Sequence, residues 1–137
     1  MLSSKPKNCS STQLEVIDDL HREEIDLLNE FMKVLPNSDD EQIDDWIQRL
    51  ERQVLHHFNE EEAFMKRVMC PNFKKHVEAH SETLKAIKEA KKNWEEERDL
   101  LQLWNFLEYD YMAWFEHHVR DFDIPAAEFI RRYEEAE

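Results

Sequence analysis

Residues 57–80 read HFNEEEAFMKRVMCPNFKKHVEAH, and the fold follows from how that stretch is read. It opens with His57-Phe58-x-x-Glu61-Glu62-x-x-Met65 and closes with Pro71-x-x-x-x-His76-x-x-x-His80. His57 and Glu61 are four residues apart, and so are His76 and His80. On a helix that spacing stacks each pair on one face, one turn above the other. Two such pairs on either side of a proline-marked turn describe two antiparallel helices that aim imidazoles and a carboxylate at each other. The rest of the chain forms a shell around that cluster.

Composition agrees with a helical shell. The 137 residues suffice for one domain with a single core. Glycine is absent and proline occurs four times, which leaves little from which to build tight hairpins, while Leu, Glu, Lys, Gln and Met are plentiful. Against 18 basic residues stand 32 acidic ones, a net charge of −14. So acidic a surface repels phosphate backbones and anionic lipid, which argues against nucleic-acid or membrane partners. No apolar run approaches the ~20 residues of a membrane span, and the opening MLSSKPKNCSS lacks the apolar centre of a signal peptide. Cys9 and Cys70 make no disulfide framework. The plain expectation is a soluble cytoplasmic protein.

Outward from the central stretch, residues 1–10 read as a flexible N-terminal tail and residues 11–137 as the bundle domain. Thr12-x-x-Glu15 fits a capping box, followed by Leu14, Ile17, His21, Ile25, Leu28, Met32 and Leu35 at spacings of three and four. The first helix should end near Pro36. Ser38-x-x-Glu41 reads as a second capping box, and Ile43, Trp46, Ile47, Leu50, Val54, His57, Glu61, Met65 and Val68 form a one-face stripe. After the break at residues 69–72, a third helix presents Phe73, His76, His80, Leu84 and Ile87. The charge run 88–98 reads as a solvated helix end plus a connection, with Asn93-x-x-Glu96 as a cap for a fourth helix. That helix shows Leu100, Leu103, Leu107, Tyr111, Trp114 and His118, and it should bend or stop at Pro125. A short amphipathic helix carrying Phe129 and Ile130 closes the chain. The fold expected is all-α: an up-down-up-down four-helix bundle with a short C-terminal helix.

Histidines and carboxylates interrupt these apolar stripes. His21 stands between Ile17 and Ile25, His57 and Glu61 between Val54 and Met65, and His76 and His80 between Phe73 and Leu84. His118 follows Trp114 by four, and Asp123 lies five further on. A lone histidine on such a stripe is more often a satisfied core residue than a ligand. Seven ionisable groups on the inner faces of four helices are another matter, since burial without partners costs several kcal/mol each. One cluster of cations satisfies them together. The set contains no thiolate, which disfavours structural zinc and iron–sulfur centres. Five imidazoles and two carboxylates exceed what one ion needs and suit two first-row ions, iron foremost. Ferritin-like di-iron sites use Glu-x-x-His, and that motif does not occur here.

With these residues in place, the chain resembles the hemerythrins, especially the bacterial ones, over about residues 14–125. The likeness rests on Ile17-Asp18-x-x-His21, the His57 and His76 motifs already quoted, and Trp114-x-x-x-His118-x-x-x-x-Asp123. It implies that His76, His80 and His118 bind one iron, that His21 and His57 bind the other, and that Glu61 and Asp123 bridge the pair with a solvent-derived oxo or hydroxo group. It further implies reversible O2 binding at the iron left one ligand short, inside a dry pocket. Phe58, Met65, Trp114, Phe115 and Val119, ordinary core residues on periodicity, would then also wall the O2 cavity.

The chain departs from that family at several positions. Leu20 replaces a usual Gln and Cys70 a usual Tyr, and an aromatic-rich arm is missing. Glu24 stands where an aliphatic residue faces the O2 pocket, and Thr83 where an aromatic is usual. Glu24 either sits on the rim of a slightly rotated helix, with Ile25 in the pocket, or leans toward the open iron as an extra ligand or proton relay through Thr83. The second option would favour oxidase, peroxidase or nitric-oxide chemistry over reversible binding. His56 and His117 turn about 100° off the site and should be exposed. Glu62 reads as a solvated or partner-facing charge, and Cys70 as a packing residue with redox sensing as its alternative. O2 carriage, storage or sensing is the first functional expectation and a di-iron redox enzyme the second. A regulatory module acting through a redox or signalling partner protein is the third.

Overall fold

The computed structural model describes residues 6–136. Helix α1 (Glu15–Val34) buries Ile17, Leu20, Ile25, Leu28, Phe31 and Met32 along one stripe. Its first residue follows Leu14, which gives no side-chain cap, so the capping box expected at Thr12 does not form. Asp18 instead reaches back out of the first turn. It accepts from the Thr12 backbone N–H at 2.7 Å, from the Thr12 hydroxyl at 2.8 Å and from Ser11 at 2.8 Å. Residues 1–5 of the expected tail lie outside the described residues. Of the remainder, Lys7 exchanges two hydrogen bonds with Asn29 (2.6 and 2.9 Å), and Cys9 packs against the core.

Pro36 ends α1 as expected, because its ring resists continuation of the helix; a single 3-10 turn, Leu35–Asn37, follows. Asp39 then caps α2 (Asp40–Arg67) by accepting from Gln42 N, and Gln42 reciprocates to the Asp39 N–H. The capping box is therefore one residue later than Ser38 and Glu41. The α2–α3 turn places Met69 and Asn72 at φ 53° and 62°, left-handed positions filled without glycine. Helix α3 (Phe73–Glu97) takes in nearly all of the charge run read as a helix end plus a connection, so the helix end is longer than expected and the connection shorter. Arg98, at φ 50°, ends it by donating its N–H to Trp94 O, and Asp99 rather than Asn93 caps the next helix.

The chain from 100 to 136 is one helical rod: α4 (Leu100–Asn105), α5 (Met112–His118) and α6 (Ile124–Ala136), joined by π-helical turns Phe106–Tyr111 and Val119–Asp123. The second π turn explains why Pro125 does not stop the helix. A widened turn just before a proline removes the clash that an i→i−4 ladder would impose. Each long helix packs antiparallel to its successor, and the rod returns to α1, giving the expected bundle. Among the described residues, no helix is long and apolar enough to cross a membrane.

Apolar side chains gather in two clusters. The larger includes Leu28, Phe31, Leu35, Ile43, Leu50, Val54, Trp94 and Leu107; the smaller comprises Leu14, Ile17, Leu20, Met65, Val68, Cys70, Ala126, Ala127 and Ile130. In α1, α2 and the rod, buried polar residues separate members of one cluster from members of the other: His21 and Glu24, Glu61, and Asp123. A slab of ionisable groups thus lies across the bundle. Beyond the larger cluster, Asp44 accepts from Trp94 Nε1 (2.8 Å) and Arg98 Nη1 (2.6 Å), tying the end of α3 to the start of α2.

Candidate metal centre

The slab draws on every long element. α1 supplies His21, α2 supplies His57 and Glu61, α3 supplies His76 and His80, α5 supplies His118, and the second π turn supplies Asp123; none is more than 3% exposed. Helical spacing accounts for the pairs four apart. His118 and Asp123 are five apart and would diverge on a regular helix, but a π turn bonds i to i+5 and returns them to one side.

Donor atoms converge on two points. His76 Nε2 lies 2.8 Å from Glu61 Oε1 and 2.8 Å from Asp123 Oδ1, while His80 Nε2 is 3.2 Å from Glu61 Oε1. His118 Nε2 is 3.2 Å from Asp123 Oδ1 and 3.2 Å from both the His76 and His80 Nε2 atoms. On the other side, His21 Nε2 sits 2.8 Å from Asp123 Oδ2, and His57 Nε2 lies 3.0 Å from Glu61 Oε2. The potential ligand atoms form two overlapping groups, each spanning no more than 4.8 Å: Glu61, His76, His80, His118 and Asp123, and His21, His57, Glu61 and Asp123. Both carboxylates belong to both groups.

The chemistry of the donors fits cations. The Nε2 atoms of His76 and His80 each lie 3.2 Å from that of His118, and between two such nitrogens an N–H can serve only one lone pair; one cation serves all three. The neighbouring carboxylates also favour the charged form of the imidazoles. Burial opposes a charge on His21, but its hydrogen bond to Asp123 outweighs it and raises the imidazole to about 9. His76 rises to about 9, burial again being outweighed by hydrogen bonds to Asp123 and Glu61. His57 is pushed well above its usual range, where Glu24 and Glu61 overcome its burial. Burial raises the Glu61 and Asp123 carboxyls, yet the hydrogen bonds of the surrounding imidazoles hold both below the usual carboxylate range.

Two further carboxylates grip the imidazoles from behind. His57 Nδ1 is 2.7 Å from Glu24 Oε1, whose other oxygen accepts from the Tyr111 hydroxyl. His80 Nδ1 is 2.7 Å from Glu62 Oε2. A carboxylate on Nδ1 fixes the ring and leaves Nε2 free for a metal. Glu24 is fully buried, so the rim position considered from the sequence does not occur, and it sits behind His57 rather than among the converging atoms. The relay through Thr83 is not formed either, because the Thr83 hydroxyl donates to Ala79 O at 3.1 Å. Glu62 is not a freely solvated charge. Periodicity could not reveal its role or that of Tyr111, since each depends on a partner across the bundle. The one available signal was the doubled Glu61-Glu62 opposite the His76/His80 helix.

Aromatic rings pave the surroundings. Phe58 stacks on His80 (centroids 3.8 Å, 6° apart), Trp114 stacks on His118 (5.0 Å), and Phe115 meets His21 edge-on (5.4 Å). Val119 is buried in the larger cluster and Met65 in the smaller, and Thr83 is buried on α3. Phe122, which periodicity did not single out, stacks on His118 at 5.1 Å. His56 and His117 are exposed. A cleft of about 250 Å³ opens between the α2–α3 turn and the start of α6, with His76, Phe122 and Cys70 in its wall.

A family model, the hemerythrin HHE cation binding domain, matches residues 12–123. The chain is also 29% identical over 112 residues to the bacteriohemerythrin of Aquifex aeolicus (strain VF5), covering 82% of this chain and 86% of that protein.

Proposed function

The chain belongs to the hemerythrin HHE cation-binding family, and from that premise we propose that it holds two iron ions and takes up O2 reversibly. The observation that carries this reading is the pair of overlapping donor groups, which share Glu61 and Asp123 and differ in their histidines. His76, His80 and His118 would hold one ion, His21 and His57 the other, and the two carboxylates would span both. The side with two histidines has fewer protein ligands and is where an exogenous molecule would enter. When bound, the iron pair supplies the two electrons that O2 uptake requires. The protein's part is to hold each Nε2 on target and to exclude water. Glu24 and Glu62 do the first from the Nδ1 side, and Phe58, Trp114, Phe115, Val119 and Met65 do the second with apolar surface.

A reducing cytoplasmic setting suits iron kept ferrous between O2 encounters, and a redox or signalling partner protein would be needed only if the site reports or turns over. The test is to expose anaerobic ferrous protein to air. A visible band that appears with O2 and vanishes on deoxygenation is expected; metal analysis finding fewer than two ions per chain would overturn the reading. A second reading, a di-iron redox enzyme of oxidase, peroxidase or nitric-oxide chemistry, is favoured by the buried Glu24 carboxylate behind His57. It predicts a band that decays within seconds as peroxide is released.

A further inference from the structure

The two halves of the centre differ in more than histidine count. Behind His80 stands Glu62, whose side chain is 26% exposed, so water screens its charge. Behind His57 stands Glu24, with its side chain 0% exposed and both oxygens engaged by protein, Oε1 with His57 and Oε2 with Tyr111. Tyr111 is itself 2% exposed and reaches Glu24 across 87 positions of sequence. Three elements meet in this chain of contacts: α1, α2 and the first π turn, which ends at Tyr111. A buried carboxylate costs several kcal/mol unless well paired, and the pairing here leads to one candidate ligand. A π turn inside a helix is also the kind of irregularity that clusters at functional sites.

We propose that Tyr111 and Glu24 are positioning residues for the two-histidine half of the centre. Tyr111 fixes the Glu24 carboxylate, Glu24 fixes the His57 ring through Nδ1, and His57 Nε2 is thereby held toward Glu61 and the metal position. The same unscreened carboxylate, one imidazole away, favours the more highly charged state of whichever ion sits there. This proposal rests on the reading of the site as a two-metal centre but not on its O2 chemistry. It goes beyond that reading in assigning Tyr111 a role and in making the two metal positions unequal.

The experiment compares the full-length chain with Tyr111→Phe, Glu24→Gln and Glu62→Gln, each loaded with iron and, separately, with zinc. Release to a chelator is followed in time, and the reduction potential of the iron-loaded forms is recorded. Tyr111→Phe, which deletes one oxygen, should release one ion ~10-fold or more faster and leave the other unchanged, since the loss of partners behind a ligand typically costs 10–100-fold in affinity. Glu24→Gln should do the same and raise the potential; Glu62→Gln should speed the other ion instead. Release identical to the parent in both Tyr111→Phe and Glu24→Gln overturns the proposal. So does equal acceleration of both ions with a lowered melting temperature, which is what a merely structural role would give. A parent that binds two zinc ions but shows no O2 band sinks the functional reading while the release phases still decide this one. A parent that binds no metal overturns both.

Discussion

Phe58 shows how much one side chain does at this site. It is 1% exposed, lies flat on the His80 ring at 3.8 Å and meets Trp114 edge-on at 6.0 Å. Phe58→Ala would remove a core ring, at a cost of roughly 3–5 kcal/mol, and open space for water beside His80. Chemical denaturation should show the loss of stability, and an O2-dependent band, if formed, should fade faster than in the parent. At this scale the sequence was most informative about residues whose role follows from their own helix. The spacing of four nominated His57 with Glu61 and His76 with His80, and each ring or carboxylate does point inward. It was silent on Glu62, Tyr111 and Phe122, whose roles come from His80, Glu24 and His118 on other helices or across a distorted turn.

Elements were legible wherever the period of 3.6 held and opaque where it broke. The stripes of α1, α2 and α3 were read correctly, but the two π turns were not, because a local change of period leaves no mark in residue type. Their consequence is large: one returns Asp123 to the side of His118, and the other ends at Tyr111. The starts of α1, α2 and α4 were misplaced by a residue or more, while α3 begins at Phe73 as expected; at α2, Ser38, Asp39 and Asp40 are all competent caps and only the chain's exit from Pro36 chooses among them. The α2–α3 turn carries a testable strain. Met69 sits at φ 53° with 81% of its surface exposed, and a left-handed residue with a Cβ costs roughly 1–2 kcal/mol. Met69→Gly should recover about 1 kcal/mol after glycine's own entropic cost, visible as a higher urea midpoint with an unchanged slope.

For the whole molecule, the centre couples folding to protons and to metal. His21 and His76 have folded values of about 9 against an ordinary 6.5. In the metal-free chain their contribution to stability is therefore fully present below 6.5 and is lost as pH rises through about 9. Glu61 and Asp123 are shifted downward, so theirs is present above the ordinary 4.5 and 3.8 and is lost on further acidification. Urea midpoints of metal-free protein should accordingly fall between pH 6.5 and about 9, whereas metal affinity should rise over the same interval because each ligand surrenders a proton on binding. The slab has a second consequence, for the order in which the molecule comes apart. It leaves the smaller apolar cluster, Leu14, Ile17, Leu20, Met65, Val68, Ala127 and Ile130, as a cap seated on charged groups rather than on hydrocarbon. Without cations that seam is the weakest plane in the structure, and the cap should open as its own cooperative unit while the larger cluster stays closed. Amide hydrogen exchange on the metal-free chain should reach residues 14–20, 65–70 and 126–130 well before residues 28–35 and 43–54, and loading the metal should bring the two sets of rates together.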